Sequence, residues 1–243
     1  MELTKVATHA AATIVCGVLL GATATPAAAQ AVYWADWTQR TFSNATTPGT
    51  ASGLINVNGT TVNVSYTGEV NSATQVSGGT NYWTSQRQSY LGGVLTDAAP
   101  ISSDVIGFDG GRGFTSTLAF SSVIENPIFS FVSVGRSGIP VTLTFDTPFE
   151  IVAQGPGFFG TGTLVKNGNS ITGVEGNGTI RFLGTYSQVS WTSGQNGEFF
   201  GGLTMGIQGI GGPQSTVPEP ATVGLVGLGL VGVAAGARRR MRA

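Results

Sequence analysis

The chain has 243 residues, of which 9% are charged, 38 are glycine, one is histidine and one is cysteine, with a formal net charge of −1. His9 and Cys16 both lie near the N-terminus, in a segment that we expect to be removed. The remaining protein would then lack disulfides, Ser-His-Asp triads and His/Cys metal sites. Residues 30–216 contain six basic and ten acidic side chains, a balance of −4 without a basic stripe, which argues against a nucleic-acid-binding protein.

The N-terminus has the pattern of a secretory signal peptide. Lys5 precedes an apolar stretch at residues 10–21, and the small residues Ala27, Ala28 and Ala29 follow. This order of a positive charge, an apolar stretch and small residues predicts a signal peptide over residues 1–29, cut after Ala29 or Ala31. It implies export by Sec-type machinery.

The segment at residues 30–210 has the two-residue periodicity of β-strands. The runs TVNVSY (61–66), VTLTFD (141–146) and GLTMGIQ (202–208) alternate apolar with polar or small residues, as half-buried strands do. The run PIFSFVSVG (127–135) is apolar on both faces, which predicts a central strand. We count about ten to twelve short strands and no amphipathic helix before residue 217.

Asn-Gly pairs predict hairpin turns between these strands. Asn58-Gly59 lies between two alternating runs, which indicates a type I′ turn. Asn167-Gly168 is a second candidate and Asn177-Gly178 a weaker third. The predicted fold class is therefore all-β, an antiparallel, jelly-roll-like β-sandwich over residues 30–210, with a linker at 211–216.

Aromatic side chains in a polar stretch are the best candidates for a glycan contact. Tyr82 and Trp83 lie in GGTNYWTSQRQSY and could stack on sugar rings if they are exposed; Trp191 alternates with core residues and is expected inside. Asp104 and Asp109 could contribute oxygens to a calcium site, although their spacing matches no calcium-binding loop. No metal site is predicted.

Two enzymatic alternatives have weaker support. The run GPGFFG (155–160) matches G-x-G-x-x-G, but a strand and a turn follow it rather than a helix, so we expect a β connection without a nucleotide. Glu125, Glu150, Glu175 and Glu198 show no motif-like pairing, although two of them could meet across a sheet as in a glycan hydrolase. The expectation is a protein that is not an enzyme and has no cofactor.

The C-terminus predicts a membrane anchor. The motif Val217-Pro218-Glu219-Pro220 precedes an uncharged run at residues 221–237, which as a helix would be about 26 Å long. That length is close to the lower limit for crossing a bilayer core of roughly 30 Å. Arg238, Arg239 and Arg240 would stop transfer and hold the C-terminus in the cytoplasm.

This tail resembles the PEP-CTERM protein-sorting domain, in which Val-Pro-Glu-Pro precedes a short Gly- and Leu-rich helix and an arginine cluster. The resemblance covers residues 217–240 of a sorting signal at 217–243. It implies an exosortase-like membrane enzyme as partner, with Pro218, Glu219 and Pro220 as the recognition motif. It also implies a Gram-negative bacterium that makes exopolysaccharide.

From these features we expect an exported, transiently anchored protein of the cell surface or exopolysaccharide matrix, with a structural or adhesive role in biofilm or floc. The alternatives left open are a carbohydrate-binding module and a carboxylate-dependent glycan hydrolase. Exopolysaccharide is a possible partner of the domain.

Overall fold

A computed structural model describes residues 31–93, 95, 99–194 and 197–211. The predicted signal peptide, transmembrane helix and sorting motif, and the linker beyond Gly211, lie outside the described residues. Among those that are described, no helix has the length and apolarity needed to span a membrane.

The described chain is almost entirely β-structure. One 3-10 helix, η1, covers Arg87–Tyr90. The strands in chain order are β1 (Tyr33–Trp34), β2 (Asp36–Thr41), β3 (Gly49–Val57), β4 (Thr60–Gly68), β5 (Ile106–Phe108), β6 (Thr115–Glu125), β7 (Ile128–Val134), β8 (Val141–Phe145), β9 (Glu150–Gln154), β10 (Leu164–Asn167), β11 (Ser170–Gly173), β12 (Gly176–Arg181), β13 (Thr185–Ser193), β14 (Gly201–Ile207) and β15 (Gly209–Ile210).

These strands form two antiparallel sheets. The small sheet has the order β1-β14-β7-β12-β9, with β5 also paired to β14. The large sheet has the order β10-β11-β8-β13-β6-β4-β3-β2, with β15 also paired to β6. The all-β, antiparallel expectation is confirmed, and β7 is central in its sheet as the two-sided apolar run predicted.

Four strand pairs are nested in the sequence. β10 pairs with β11, β9 with β12, β8 with β13, and β7 with β14. A chain that folds back as one long hairpin and then rolls up gives this nesting, as in jelly-roll sandwiches. β8 and β13 lie in the large sheet while β7, β9, β12 and β14 lie in the small one, so the connections cross between the layers.

The main core lies between the two sheets and is rich in aromatic rings. Phe129 of the small sheet packs edge-to-face on Phe145 and Trp191 of the large sheet, with ring centroids 6.2 and 5.6 Å apart. Such pairs contribute about 0.5–1.5 kcal/mol beyond the area that they bury. Trp191 is 4% exposed, so its predicted inward position is confirmed.

A second, smaller core covers the outer face of the small sheet. Trp83 and Tyr90, both fully buried, pack edge-to-face at 5.2 Å in a cluster with Val105 and Val132. Trp83 and Tyr90 belong to the long connection between β4 and β5. Because the main core packs on one face of the small sheet and this second core on the other, both faces of β7 are buried.

The sandwich has two distinct ends. At the exit end, β15 pairs with Ile124 and Glu125, and Gly211 donates its N–H to the Val123 carbonyl as the chain leaves the domain. β14 begins at the opposite end, which we call the distal end, directly after Phe200. Seven residues of β14 separate the two ends by roughly 23 Å.

The turn predictions met different outcomes. Asn58 and Gly59 have φ of 50° and 88° between β3 and β4, as a type I′ turn requires, so this prediction is confirmed. The second hairpin exists, but Asn167 pairs with Ser170, so Gly168 and Asn169 form the turn. The third prediction is wrong, because Asn177 lies fully buried inside β12.

Candidate functional site

Four aromatic side chains meet at the distal end, Tyr82, Phe158, Phe159 and Phe200, and together with the adjacent, exposed Phe199 they form what we call the aromatic tip. The Tyr82 ring lies 5.1 Å from Phe158, 5.5 Å from Phe159 and 5.2 Å from Phe200. Phe159 also contacts Phe200 at 4.9 Å. Three separate segments of the chain therefore supply one continuous aromatic surface.

The outer members of the tip face solvent. Phe158, Phe159 and Phe199 are 45, 49 and 78% exposed. Single exposed apolar residues are common, but a contiguous exposed patch marks an interaction site on a folded protein. The tip is such a patch.

Asn177 fixes the loop that carries Phe158 and Phe159. Its Nδ2 donates to the carbonyls of Gly160 and Gly162 at 3.3 and 3.4 Å, while its Oδ1 accepts the Ser133 N–H at 2.9 Å. A Cβ on Gly157 would lie 1.9 Å from the Asn177 Oδ1, so only glycine allows the loop to approach this closely. The buried amide thus ties an exposed loop to the central strand.

The backbone beside this amide adopts an unusual conformation. Ser133 and Glu175 have φ of 56° and 54°, values that few non-glycine residues adopt. The Ser133 hydroxyl donates to the Glu175 Oε2 at 2.8 Å, which links the two residues. Such conformations persist only where the surroundings hold them, and they concentrate at functional sites.

Glu198 holds the other phenylalanine pair. Its Oε1 accepts the N–H groups of Phe199 and Phe200 at 2.7 and 3.3 Å, and its own N–H donates to the Asp109 carbonyl. The loop of Asp109 is held in turn by Glu69, whose buried carboxylate accepts three backbone N–H groups from Gly110, Gly111 and Arg112.

The environment of Glu198 favours its protonated form. Burial is the largest effect and raises the pKa of the Glu198 carboxyl, and the neighbouring Glu175 charge raises that pKa further. The two backbone N–H groups and Arg136 act in the opposite direction. The Oε2 atom is buried and has no hydrogen-bond partner within the described part of the chain.

Arg136 gives the tip a positive charge. Its guanidinium lies over the Phe199 ring, 4.1 Å from the centroid, in a cation–π contact. Arg136 and Glu175 are both partly exposed, so the rim of the tip carries one charge of each sign. A surface of this kind can bind apolar and weakly polar groups, whereas the Glu198 carboxyl is too enclosed to reach a substrate.

The structure separates the two residues predicted to contact a glycan. Tyr82 belongs to the tip and is partly exposed. The expectation for Trp83 is corrected, because its ring is fully buried in the second core and cannot stack on a sugar. The polar neighbours suggested exposure, but the segment lies against the outer face of the small sheet.

The possible calcium ligands do not come together. Asp104 and Asp109 lie on opposite sides of β5, which sets them roughly 16 Å apart along an extended chain. Asp109 forms an ion pair with Arg112 at 2.7 Å. In the described ranges, no three His, Cys, Asp or Glu side chains form a cluster that could hold a metal ion.

Sequence reasoning missed the phenylalanines of the tip, although the sequence carries a signal for them. The triplet Phe-Phe-Gly occurs twice, at 158–160 and at 199–201, each time in a glycine-containing loop. Adjacent side chains of an extended segment point in opposite directions, so a pair of phenylalanines in a surface loop directs one ring toward solvent. Repeated pairs at loop positions therefore indicate exposed aromatic rings.

The sorting residues Val217, Pro218, Glu219 and Pro220 and the stop residues Arg238, Arg239 and Arg240 lie outside the described residues. The PEP-CTERM protein-sorting motif matches residues 216–240 of this chain. No curated protein and no solved structure shows significant similarity to this chain. The chain thus carries a PEP-CTERM sorting motif, which implies an exported protein that is anchored in a membrane and processed by an exosortase-like enzyme.

Proposed function

We propose that this chain is an adhesive or structural protein of the bacterial cell surface or exopolysaccharide matrix, and that the aromatic tip is its contact surface. The observation that carries the proposal is the position of the tip at the end of the sandwich opposite the point where the chain leaves it. The protein acts as a displayed domain without catalysis.

The tether determines what the tip can reach. The chain leaves the domain at Gly211, beside Val123, and the sorting tail follows. While that tail is in the membrane, the exit end is the tethered end and the distal end is the one free to extend away from the membrane. The phenylalanines then face outward, toward matrix polymers or neighbouring cells.

The chemistry of the tip suits adhesion. Phenyl rings bind apolar surfaces without demanding one hydrogen-bond pattern. Release of the tail by the processing enzyme would leave the tip intact, because Phe199 and Phe200 precede the sorting motif and are held by Glu198. The same surface can therefore act before and after processing.

The proposal is tested with the full-length protein in a host that has the sorting enzyme. The variant replaces Phe158, Phe159 and Phe199 by serine, and the control replaces Val165 and Leu183, which are 63 and 58% exposed elsewhere, by serine. The measurements are the fraction of the protein retained in the matrix and the degree of cell aggregation. We expect the tip variant to aggregate less and to be retained in the matrix less than the wild type, with normal export and processing, and the control to match the wild type in both.

Equal retention and aggregation for the tip variant, the control and the wild type would overturn the adhesive role of the tip. A loss in the tip variant and the control alike would point to general surface apolarity. That result also contradicts the proposal.

A further inference from the structure

The outer face of the large sheet carries a groove that lies apart from the aromatic tip. It crosses the adjacent strands β6, β4, β3 and β2 and has a volume of about 430 Å³. Ligand sites of proteins fall in the range of about 300–1,000 Å³. The groove is shallow and runs across the strands, which suits a chain-like ligand better than an enclosed small molecule.

Two irregular strands give the sheet its concave shape here. The register between β2 and β3 shifts at Thr38, and the register between β13 and β6 shifts beyond Ala119. β-bulges bend a strand and redirect its side chains. The strands β3 and β4, which pair without a register shift, form the floor between these two irregularities.

The described residues that line the groove include no charged side chain. Its polar groups are the hydroxyls of Thr38, Ser52, Ser65 and Ser121 and the side-chain amide of Asn63. Neither an anion nor a cation would find a countercharge in this lining. The nearest charge is Arg40, which lines two adjoining hollows that share Thr38, Ser52 and Ser65 with the groove. A polymer with a charge on every repeat is therefore a poor match along the groove itself.

The hydrogen-bonding capacity of the lining is mixed. The Thr38 hydroxyl donates to the Ser52 carbonyl at 3.2 Å, so its lone pairs remain to accept. The Ser121 hydroxyl accepts the backbone N–H of Asn63 at 2.9 Å, so the proton of that hydroxyl remains to donate. The Asn63 amide supplies both donors and an acceptor. Sugar hydroxyls both donate and accept, so they match such a surface.

The floor also offers an apolar contact for the carbon face of a sugar ring. Leu54 is 42% exposed on β3, beside Asn63 of β4, with which it is paired in the sheet. Neighbouring strands repeat about every 4.8 Å and side chains on one face about every 6.8 Å. An array of hydroxyls around one exposed leucine, repeated at the spacing of strands, is suited to a polymer with a regular repeat.

We infer that this groove binds a strand of neutral polysaccharide. The site is independent of the aromatic tip, which lies at the distal end of the domain and shares no residue with it. The protein then has two separate contacts with a matrix, a chain-binding groove on one face and an adhesive end.

The test is affinity electrophoresis of the full-length protein in detergent. Native gels contain hydroxyethylcellulose, galactomannan or dextran as neutral polymers, or alginate as the anionic polymer. We expect at least one neutral polymer to retard the wild type and alginate to have no effect. The variants Asn63→Asp, which adds a charge at constant shape, and Ser65→Tyr, which fills the groove, should weaken binding about tenfold or more.

Asn167→Asp is the matched control, because it makes the same charge change on the exposed edge strand β10 of the same sheet. It should bind like the wild type, as should the serine variant of the tip. The inference is overturned if no neutral polymer retards the wild type, if alginate retards it equally, or if both groove variants bind normally. Loss of binding in the tip variant alone would place the glycan contact at the tip and also overturn it.

Discussion

Replacing Asn177 by alanine tests whether the buried amide holds the aromatic tip. The substitution removes the acceptor of the Ser133 N–H and three donated hydrogen bonds, of which the bond to the Glu175 carbonyl, at 2.6 Å, is the shortest. Asn177 is fully buried, so water does not readily replace these partners.

The expected loss can be estimated group by group. A buried N–H left without a partner costs about 1–3 kcal/mol, and the short bond to the Glu175 carbonyl is worth about 0.5–1.5 kcal/mol. The two longer bonds to Gly160 and Gly162 add less. We therefore expect Asn177→Ala to lower the free energy of unfolding by about 3 kcal/mol, which lowers the melting temperature by about 6–12 °C.

The assay is thermal unfolding of the full-length protein in detergent, with limited proteolysis as a local readout. Cleavage of the variant should begin at the loop that carries Phe158 and Phe159, because that loop loses its hydrogen bonds to the Asn177 side chain, which connects it to Ser133. Asn44→Ala is the control, since the Asn44 Oδ1 accepts the N–H groups of Thr46 and Thr47 in an exposed turn. It should cost less than about 1 kcal/mol. Similar melting temperatures for the two variants would refute the reasoning.

Two further substitutions test the turn and the buried carboxyl. Gly59→Val should destabilise the domain by roughly 1 kcal/mol or more, because Gly59 has φ of 88°, which strains a valine backbone. An added Cβ would meet nothing within 4 Å, so steric overlap does not contribute to this loss. An unchanged melting temperature would contradict the predicted backbone strain. Glu198→Gln should become more stable relative to the wild type as the pH rises. The raised pKa of Glu198 means that the folded state holds its proton more tightly than the unfolded state, so the wild type loses stability as the pH rises through that pKa, and the glutamine does not. Melting temperatures measured from about pH 4 to about pH 8 check this, and a difference independent of pH would disagree.

The sequence predicted those features of the fold that depend on neighbours along the chain. Alternation in TVNVSY and VTLTFD located β4 and β8, because a half-buried strand imposes a period of two on its own residues. Asn58-Gly59 located a turn, because its backbone needs positive φ whatever surrounds it. Both are local requirements.

Features that depend on distant contacts were not predicted. Asn177-Gly178 has the same local pattern as the true turn, yet Asn177 is buried because the carbonyls of the loop around Phe158 and Phe159 and the Ser133 N–H satisfy its amide. Trp83 is buried because an irregular segment packs on the outer face of the small sheet. The aromatic tip combines three segments far apart in sequence, and no periodicity within one segment reveals such a meeting.

The most direct test of the sorting account replaces Glu219 by alanine in a host with the processing enzyme. The change leaves the apolar run at 221–237 and the arginines Arg238–Arg240 as they are, so the energetics of membrane insertion barely change. The measurement is an immunoblot of membrane and extracellular fractions for the wild type and the variant. The account predicts that the variant still inserts but accumulates as full-length precursor in the membrane fraction, while the wild type yields a shortened form. The same sizes in the same fractions for both proteins would contradict the account, because the tail would then act only as an anchor.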